Sequence, residues 1–152
     1  MGTDFPRFSH RSDPNVQAFP DEGHVLVVDG TCAACSSGAK FVARRDHRKE
    51  FLICPAGSSL GRSLMLHYGM DPDDPDSWLY LRHGDVRFSL DAMIEVAAHI
   101  YRPAAVLRVL FILPRPVRDW MYRRIARNRH HIMGRTDICE IPDEALRDRL
   151  IG

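Results

Sequence analysis

The sequence predicts a mixed α/β domain, with a strand–helix–strand unit followed by a helix, a β-hairpin and another helix. Three observations support this prediction. An apolar run at residues 25–28 is followed by the turn pair Asp29-Gly30, and helical periodicity begins soon afterwards. A second apolar run at 51–54 follows that helix. Two further short apolar runs flank a turn at residues 82–85. This element order is that of a thioredoxin-like sheet.

The bounds of the individual elements are predicted from residue composition and from capping and turn residues. Thr31 is the candidate N-cap of the first helix, and the turn after Pro55 separates the second strand from the second helix. The first two strands are expected to be parallel because a helical crossover joins them. The predicted elements are strands at 25–29, 51–54, 77–81 and 86–88, and helices at about 31–46, 59–68 and 89–101.

Two segments lie outside this core. Residues 1–22 are rich in polar residues and proline and show no periodicity, which predicts a flexible N-terminal arm before a single domain at 23–152. From about residue 103 the chain is longer than a minimal thioredoxin-like sheet needs, which predicts a C-terminal helical extension. The helix after Pro116 should bury an apolar stripe and expose arginines. The predicted stripe is Val117, Trp120, Met121 and Ile125, opposite Arg118, Arg123 and Arg127.

The formal net charge of +1 predicts no general attraction to nucleic acid or to a membrane. The charge is unevenly distributed, because residues 102–135 carry nine arginines against one acid, Asp119. Two interpretations remain for this arginine-rich helix, a site for an anionic partner or an ordinary solvated face. Aromatic residues are not interleaved with the arginines as nucleic-acid binding requires, so no nucleic-acid partner is expected.

Apolar runs in this chain are short. None approaches the roughly 20 residues that a membrane-spanning helix needs, and residues 1–20 lack the apolar core of a signal peptide. We therefore expect a cytoplasmic protein without a membrane partner. In that compartment, closely spaced cysteines are more often redox-active or metal-binding than structural.

The central motif is a pair of cysteines, Cys32 and Cys35, separated by two alanines and placed directly after the first strand and turn. The start of a helix favours a thiolate, so Cys32 is expected to be the exposed attacking group. Cys35 lies one turn later, where it can close a disulfide and resolve a mixed disulfide.

Besides the redox interpretation, Cys32 and Cys35 have two alternative interpretations. They could form half of a structural metal site, or they could be two inert thiols. A metal site needs further ligands, and the available ones are scattered: Cys54, Cys139, His130 and His131. We expect no metal and no bound cofactor. Cys54 is expected to be a small buried side chain. Cys139 could fold back as an additional resolving thiol, or be buried or idle at the surface.

Asp29 also has two interpretations. A carboxylate beside a thiol can accept or relay the proton of Cys35 during exchange. An aspartate before glycine also commonly caps a turn with its side chain. The sequence leaves both open.

Several stretches together resemble the DCC family of thiol-disulfide oxidoreductases, named for Asp, Cys and Cys. They are residues 27–35, 41–42, 45–46, 113–120, 125–129 and 134–139, in that order. The resemblance covers about residues 24–150. It implies a thioredoxin-like fold and disulfide oxidoreductase activity, and that Asp29, Cys32 and Cys35 are the residues of the family name. The substrate is not implied.

One position departs from the usual thioredoxin-like pattern. The cis-proline expected before the third strand falls on Asp76, with Pro75 one residue early. The predicted function is thiol–disulfide exchange with a protein or small-thiol substrate. The alternative is a non-catalytic thioredoxin-like module that senses redox state or binds a partner.

Overall fold

The computed structural model describes residues 5–73, 78–133 and 144–152, without the side chains of 33, 34 and 129–133. Its centre is a four-stranded mixed sheet of order β2-β1-β3-β4. The strands are β1 His24–Val28, β2 Phe51–Pro55, β3 Leu79–Arg82 and β4 Asp85–Phe88. β1 is parallel to β2 and antiparallel to β3, and β3 is antiparallel to β4.

Helices follow the strands in the predicted order. They are α1 Ala33–Arg45, α2 Ser59–His67, α3 Ser89–Ile100, α4 Arg115–Met133 and α5 Glu144–Arg147, with 3₁₀ segments at Ser9–Ser12 and Arg102–Ile112. The thioredoxin-like α/β fold and the C-terminal helical segment are confirmed.

β1 is buried along its whole length and separates two hydrophobic clusters. Because successive side chains of a strand point to opposite faces, Leu26 and Val28 join one cluster and Val25 and Val27 the other. The first cluster includes residues of α1 and α3, and the second includes residues of α2. Burial on both faces explains why the run at 25–28 is unbroken rather than alternating.

The β3–β4 hairpin turns through His83 and Gly84, which have φ values of 47° and 80°. Positive φ at both central residues is the geometry of a two-residue hairpin turn that matches strand twist. The ring of Phe8 lies against Gly84, 2.5 Å from where a β-carbon would stand. The N-terminal segment therefore packs closely against this turn through Phe8.

Residues 5–22 make specific contacts with the domain. His10 is 2% exposed, with Nδ1 3.0 Å from the Tyr68 hydroxyl and Nε2 2.8 Å from the Asp21 carboxylate. The Phe5 ring meets Tyr68 edge-on at 4.9 Å between centroids. Composition did not predict these contacts. The flexibility of residues 1–22 and the division at residue 22 remain predictions.

The predicted buried stripe of α4 is wrong. Val117, Trp120 and Ile125 are 41%, 60% and 62% exposed, whereas Arg118 and Tyr122 are buried. The physical reason is a tertiary contact, because the Arg118 guanidinium pairs with Asp91 of α3 and donates to the Leu113 carbonyl. That pairing turns the apolar side chains of α4 away from the core.

Among the described residues, no helix combines the length and apolar character needed to span a bilayer.

Candidate functional site

The site begins where β1 ends. Asp29 is 6% exposed, and its Oδ1 accepts hydrogen bonds from the backbone N–H and the hydroxyl of Thr31, both at 2.8 Å. This is an Asx turn, in which the carboxylate substitutes for a backbone acceptor. The contacts agree with the turn-capping interpretation of Asp29. Its action as a base remains a prediction.

α1 begins immediately after this turn. Cys32 is its N-cap, with extended backbone angles, and its carbonyl accepts from the Ser36 N–H at 2.9 Å. The sequence placed the N-cap one residue early, at Thr31. The first turn of α1 contains no acidic residue, so no carboxylate in that turn opposes the positive end of the helix dipole.

Both cysteines of the motif are buried. Cys32 is 0% exposed and Cys35 is 5% exposed, and both pack in the cluster that contains Val28, Ala39 and Trp78. The expectation that Cys32 is exposed is therefore wrong. Its side chain faces the apolar cluster beside β1 rather than solvent, so a reagent reaches its sulfur only after local movement.

Trp78 connects the site to the start of β3. Its ring carbon Cζ2 lies 2.6 Å from where a β-carbon on Gly38 would stand, so glycine is required for the two to pack this closely. Gly38 is about one helical turn beyond Cys35. The Trp78 side chain thus packs against the helix that carries the cysteines. Pro75 and Asp76 lie outside the described residues.

Cys54 is not part of this site. It lies in the second cluster, on the other face of the sheet, with its sulfur 3.4 Å from the Ser58 hydroxyl oxygen. Burial raises the pKa of the Cys54 thiol to about 11, against the opposing effect of Ser58. The prediction of a buried side chain is confirmed. Cys139, His130 and His131 lie where side chains are not described.

A second group of reactive side chains was not predicted. His24, Glu50 and His99 each offer a ligand atom within 4.8 Å of the others. Burial, together with the nearby charges of His99 and Arg82, lowers the pKa of His24 to about 4, so its ring is neutral at pH 7. No sequence spacing connects positions 24, 50 and 99, and only the fold brings them together.

Comparison with known proteins identifies the chain. Residues 26–135 match the model of the DCC1-like thiol-disulfide oxidoreductase family. The chain belongs to this family. The match contains Asp29, Cys32 and Cys35, and the family resemblance inferred from sequence is confirmed.

Two relatives are about 30% identical to this chain. The uncharacterized protein YuxK of Bacillus subtilis is 31% identical over 84% of this chain and 93% of its own length. A DCC family protein of Arabidopsis thaliana, described as chloroplastic, is 30% identical over 80% of this chain and 71% of its own length. No solved structure matches significantly.

Proposed function

We propose that this DCC1-like protein carries out thiol–disulfide exchange through Cys32 and Cys35. The observation that supports the proposal most is the position of Cys32 as N-cap of α1, where backbone N–H groups favour a thiolate. Cys35, in the first turn of the same helix, is suited to resolve the mixed disulfide.

The exchange has two steps. The Cys32 thiolate attacks one sulfur of a substrate disulfide, the substrate S–S bond breaks, and the departing thiolate takes a proton. Cys35 then loses its proton, attacks the Cys32 sulfur and releases the second substrate thiol. The substrate gains two electrons and two protons, and Cys32 and Cys35 become a disulfide. The reverse sequence oxidises a substrate dithiol.

Asp29 is the proposed proton acceptor for Cys35. A carboxylate can take the proton of the resolving thiol when both lie at one end of a strand and helix. Thr31 binds Oδ1 through its backbone N–H and its hydroxyl. Asp29→Asn keeps an Oδ1 acceptor for the turn while removing the base.

Burial of Cys32 adds a condition. Reactive cysteines generally sit in partly exposed surroundings, whereas this sulfur is covered. Exchange therefore includes a local opening near residues 29–35 before a substrate sulfur reaches Cys32. The proposed substrates are a small-molecule disulfide or a protein disulfide on an extended segment.

The reduction potential of the pair tests this proposal. Equilibration of the full chain in glutathione buffers should give a value between roughly −270 and −120 mV, the range of exchange enzymes. A value below about −300 mV is typical of structural disulfides and would contradict exchange. Cys54→Ser is the matched control and should leave the potential unchanged.

The burial of both thiols also favours a second candidate function, a redox-sensing module that binds a partner. Its proposed binding surface combines exposed arginines of α4, among them Arg123 and Arg127, with exposed apolar side chains: Val106, Val109, Ile112, Val117, Trp120 and Ile125. An acidic protein segment with apolar residues would complement this surface.

Binding of a labelled acidic peptide tests the surface. Arg123→Glu with Arg127→Glu should abolish binding, whereas Arg48→Glu, outside the surface, should not. In a sensor, Cys32 and Cys35 would be oxidised once without turnover. Sustained catalytic reduction of a disulfide would therefore exclude the sensing function.

A further inference from the structure

Three side chains from separate elements meet at the end of the sheet opposite to the cysteines. His24 is the first residue of β1, Glu50 directly precedes β2, and His99 lies in the last turn of α3. One ligand atom from each lies within 4.8 Å of the other two. β1 has five residues at about 3.3 Å each, so roughly 16 Å of strand separates this group from the Asp29 turn.

His24 is held in one orientation. It is 6% exposed, its Nδ1 lies 2.6 Å from the Tyr80 hydroxyl oxygen, and its ring stacks on Phe51 with centroids 4.8 Å apart. A hydrogen bond to one ring nitrogen fixes the imidazole and leaves Nε2 for another partner. Metal-ligating histidines almost always have such a bond on the second nitrogen.

His99 and Glu50 complete the group from the solvent side. Their Nε2 and Oε2 atoms are 2.9 Å apart, and both side chains are partly exposed, so an ion has a path from solvent. An ordinary surface ion pair would account for this contact alone. It does not account for the buried His24 ring, whose centroid lies only 4.4 Å from that of His99.

We propose that His24, Glu50 and His99 bind a divalent transition-metal ion of the Zn²⁺ type. Two imidazoles and one carboxylate suit an ion of borderline softness, and three protein ligands leave a position for water. Ligands about 2.1 Å from zinc are separated by roughly 3.4 Å in a tetrahedral site. The partly exposed Glu50 and His99 can close the remaining distance.

Charged side chains of both signs lie near this site, and the charge of Arg48 acts on Glu50. Arg82, whose charge acts on His24, also lies 3.9 Å from the carboxylate of Glu95. The bound ion would link the starts of β1 and β2 to the end of α3. It would therefore stabilise the fold at a place remote from Cys32.

Titration of the full chain with Zn²⁺, followed by calorimetry, tests the proposal. One ion should bind, and His99→Gln or Glu50→Gln should each weaken binding about tenfold or more. His47→Gln, at an exposed histidine outside the group, should not change the affinity. Because thiols also bind Zn²⁺, Cys32→Ser with Cys35→Ser serves as a second control and should retain the site.

Co²⁺ gives an independent readout of the ligands. The bound ion should lack the near-ultraviolet thiolate-to-cobalt bands, since no sulfur is in the site. Absence of Zn²⁺ binding, unchanged affinity in both His99→Gln and Glu50→Gln, loss of binding in the cysteine variant, or thiolate bands with Co²⁺ would each overturn the proposal.

Discussion

The indole of Trp78 lies over Gly38, with Cζ2 and Cη2 2.6 Å and 2.7 Å from the place of a missing β-carbon. Trp78 directly precedes β3, and Gly38 lies in the middle of the cysteine-bearing helix α1. Their contact packs the residue before β3 against α1, and Trp78 belongs to the cluster that also contains Cys32 and Cys35.

Gly38→Ala is expected to destabilise the protein. Alanine gains about 1 kcal/mol of helix propensity over glycine. Overpacking against a buried ring costs roughly 1–3 kcal/mol, which outweighs that gain. Urea unfolding monitored by far-ultraviolet circular dichroism measures the difference in unfolding free energy.

A double-mutant cycle identifies the cause. In a Trp78→Leu background the steric conflict is removed, so Gly38→Ala should stabilise by up to about 1 kcal/mol. Equal stabilisation with and without Trp78 would show that the ring does not restrict this position.

Asp46 and Arg149 form a buried ion pair that joins the end of α1 to the C-terminal segment. Both are 6% exposed, and the Arg149 guanidinium also donates to the Asp46 carbonyl at 2.7 Å. Arg149→Met leaves a buried carboxylate without this cation, which should cost about 3–5 kcal/mol of unfolding free energy. Lys49→Met at the exposed pair with Asp148 should change it by less than about 1 kcal/mol. Similar losses of unfolding free energy in the two variants would contradict the prediction that the buried pair contributes more.

The same pair predicts sensitivity to acid. Burial would raise the pKa of Asp46, but hydrogen bonds from the Phe51 and Glu50 N–H groups and from Arg149 outweigh it and lower the pKa. Its contribution to stability is therefore present above the ordinary carboxyl pKa and is lost as pH falls below that value.

Asp21 gives a sharper pH prediction. Hydrogen bonding from Arg11 lowers the pKa of Asp21 to about 2, against burial and with help from His10. A depressed folded-state pKa stabilises the protein above pH of about 4, and this stabilisation disappears as pH falls to about 2. The difference in unfolding free energy between the parent and Asp21→Asn should shrink over that interval. Asp148→Asn is an exposed control, and a pH-independent difference for Asp21→Asn would contradict the prediction.

Local pattern predicted much of the fold and the position of the site. The strand at β1 and the turn at Asp29-Gly30 depend mainly on residues adjacent in sequence. The prediction that Cys32 and Cys35 lie at the start of a helix is therefore confirmed. Exposure was not predictable in this way. Cys32 is buried by a cluster that includes Trp78, far away in the chain.

Contacts between residues distant in the chain explain the other failures. On α4 the arginines suggested a solvated face, but Asp91 of α3 draws Arg118 inward and leaves Trp120 exposed. Likewise, His24 and His99 are adjacent only because β1 and the end of α3 meet. A single sequence contains no periodicity that reports such contacts.

Trapping a mixed disulfide tests the exchange mechanism most directly. The Cys35→Ser variant, incubated with oxidised glutathione and mapped by mass spectrometry, should carry one glutathione on Cys32. The Cys32→Ser variant should carry none on Cys35, and Cys54 should stay unmodified in both, since burial raises the pKa of its thiol to about 11. Absence of glutathione from Cys32 in the folded Cys35→Ser protein would contradict the proposed attack by Cys32.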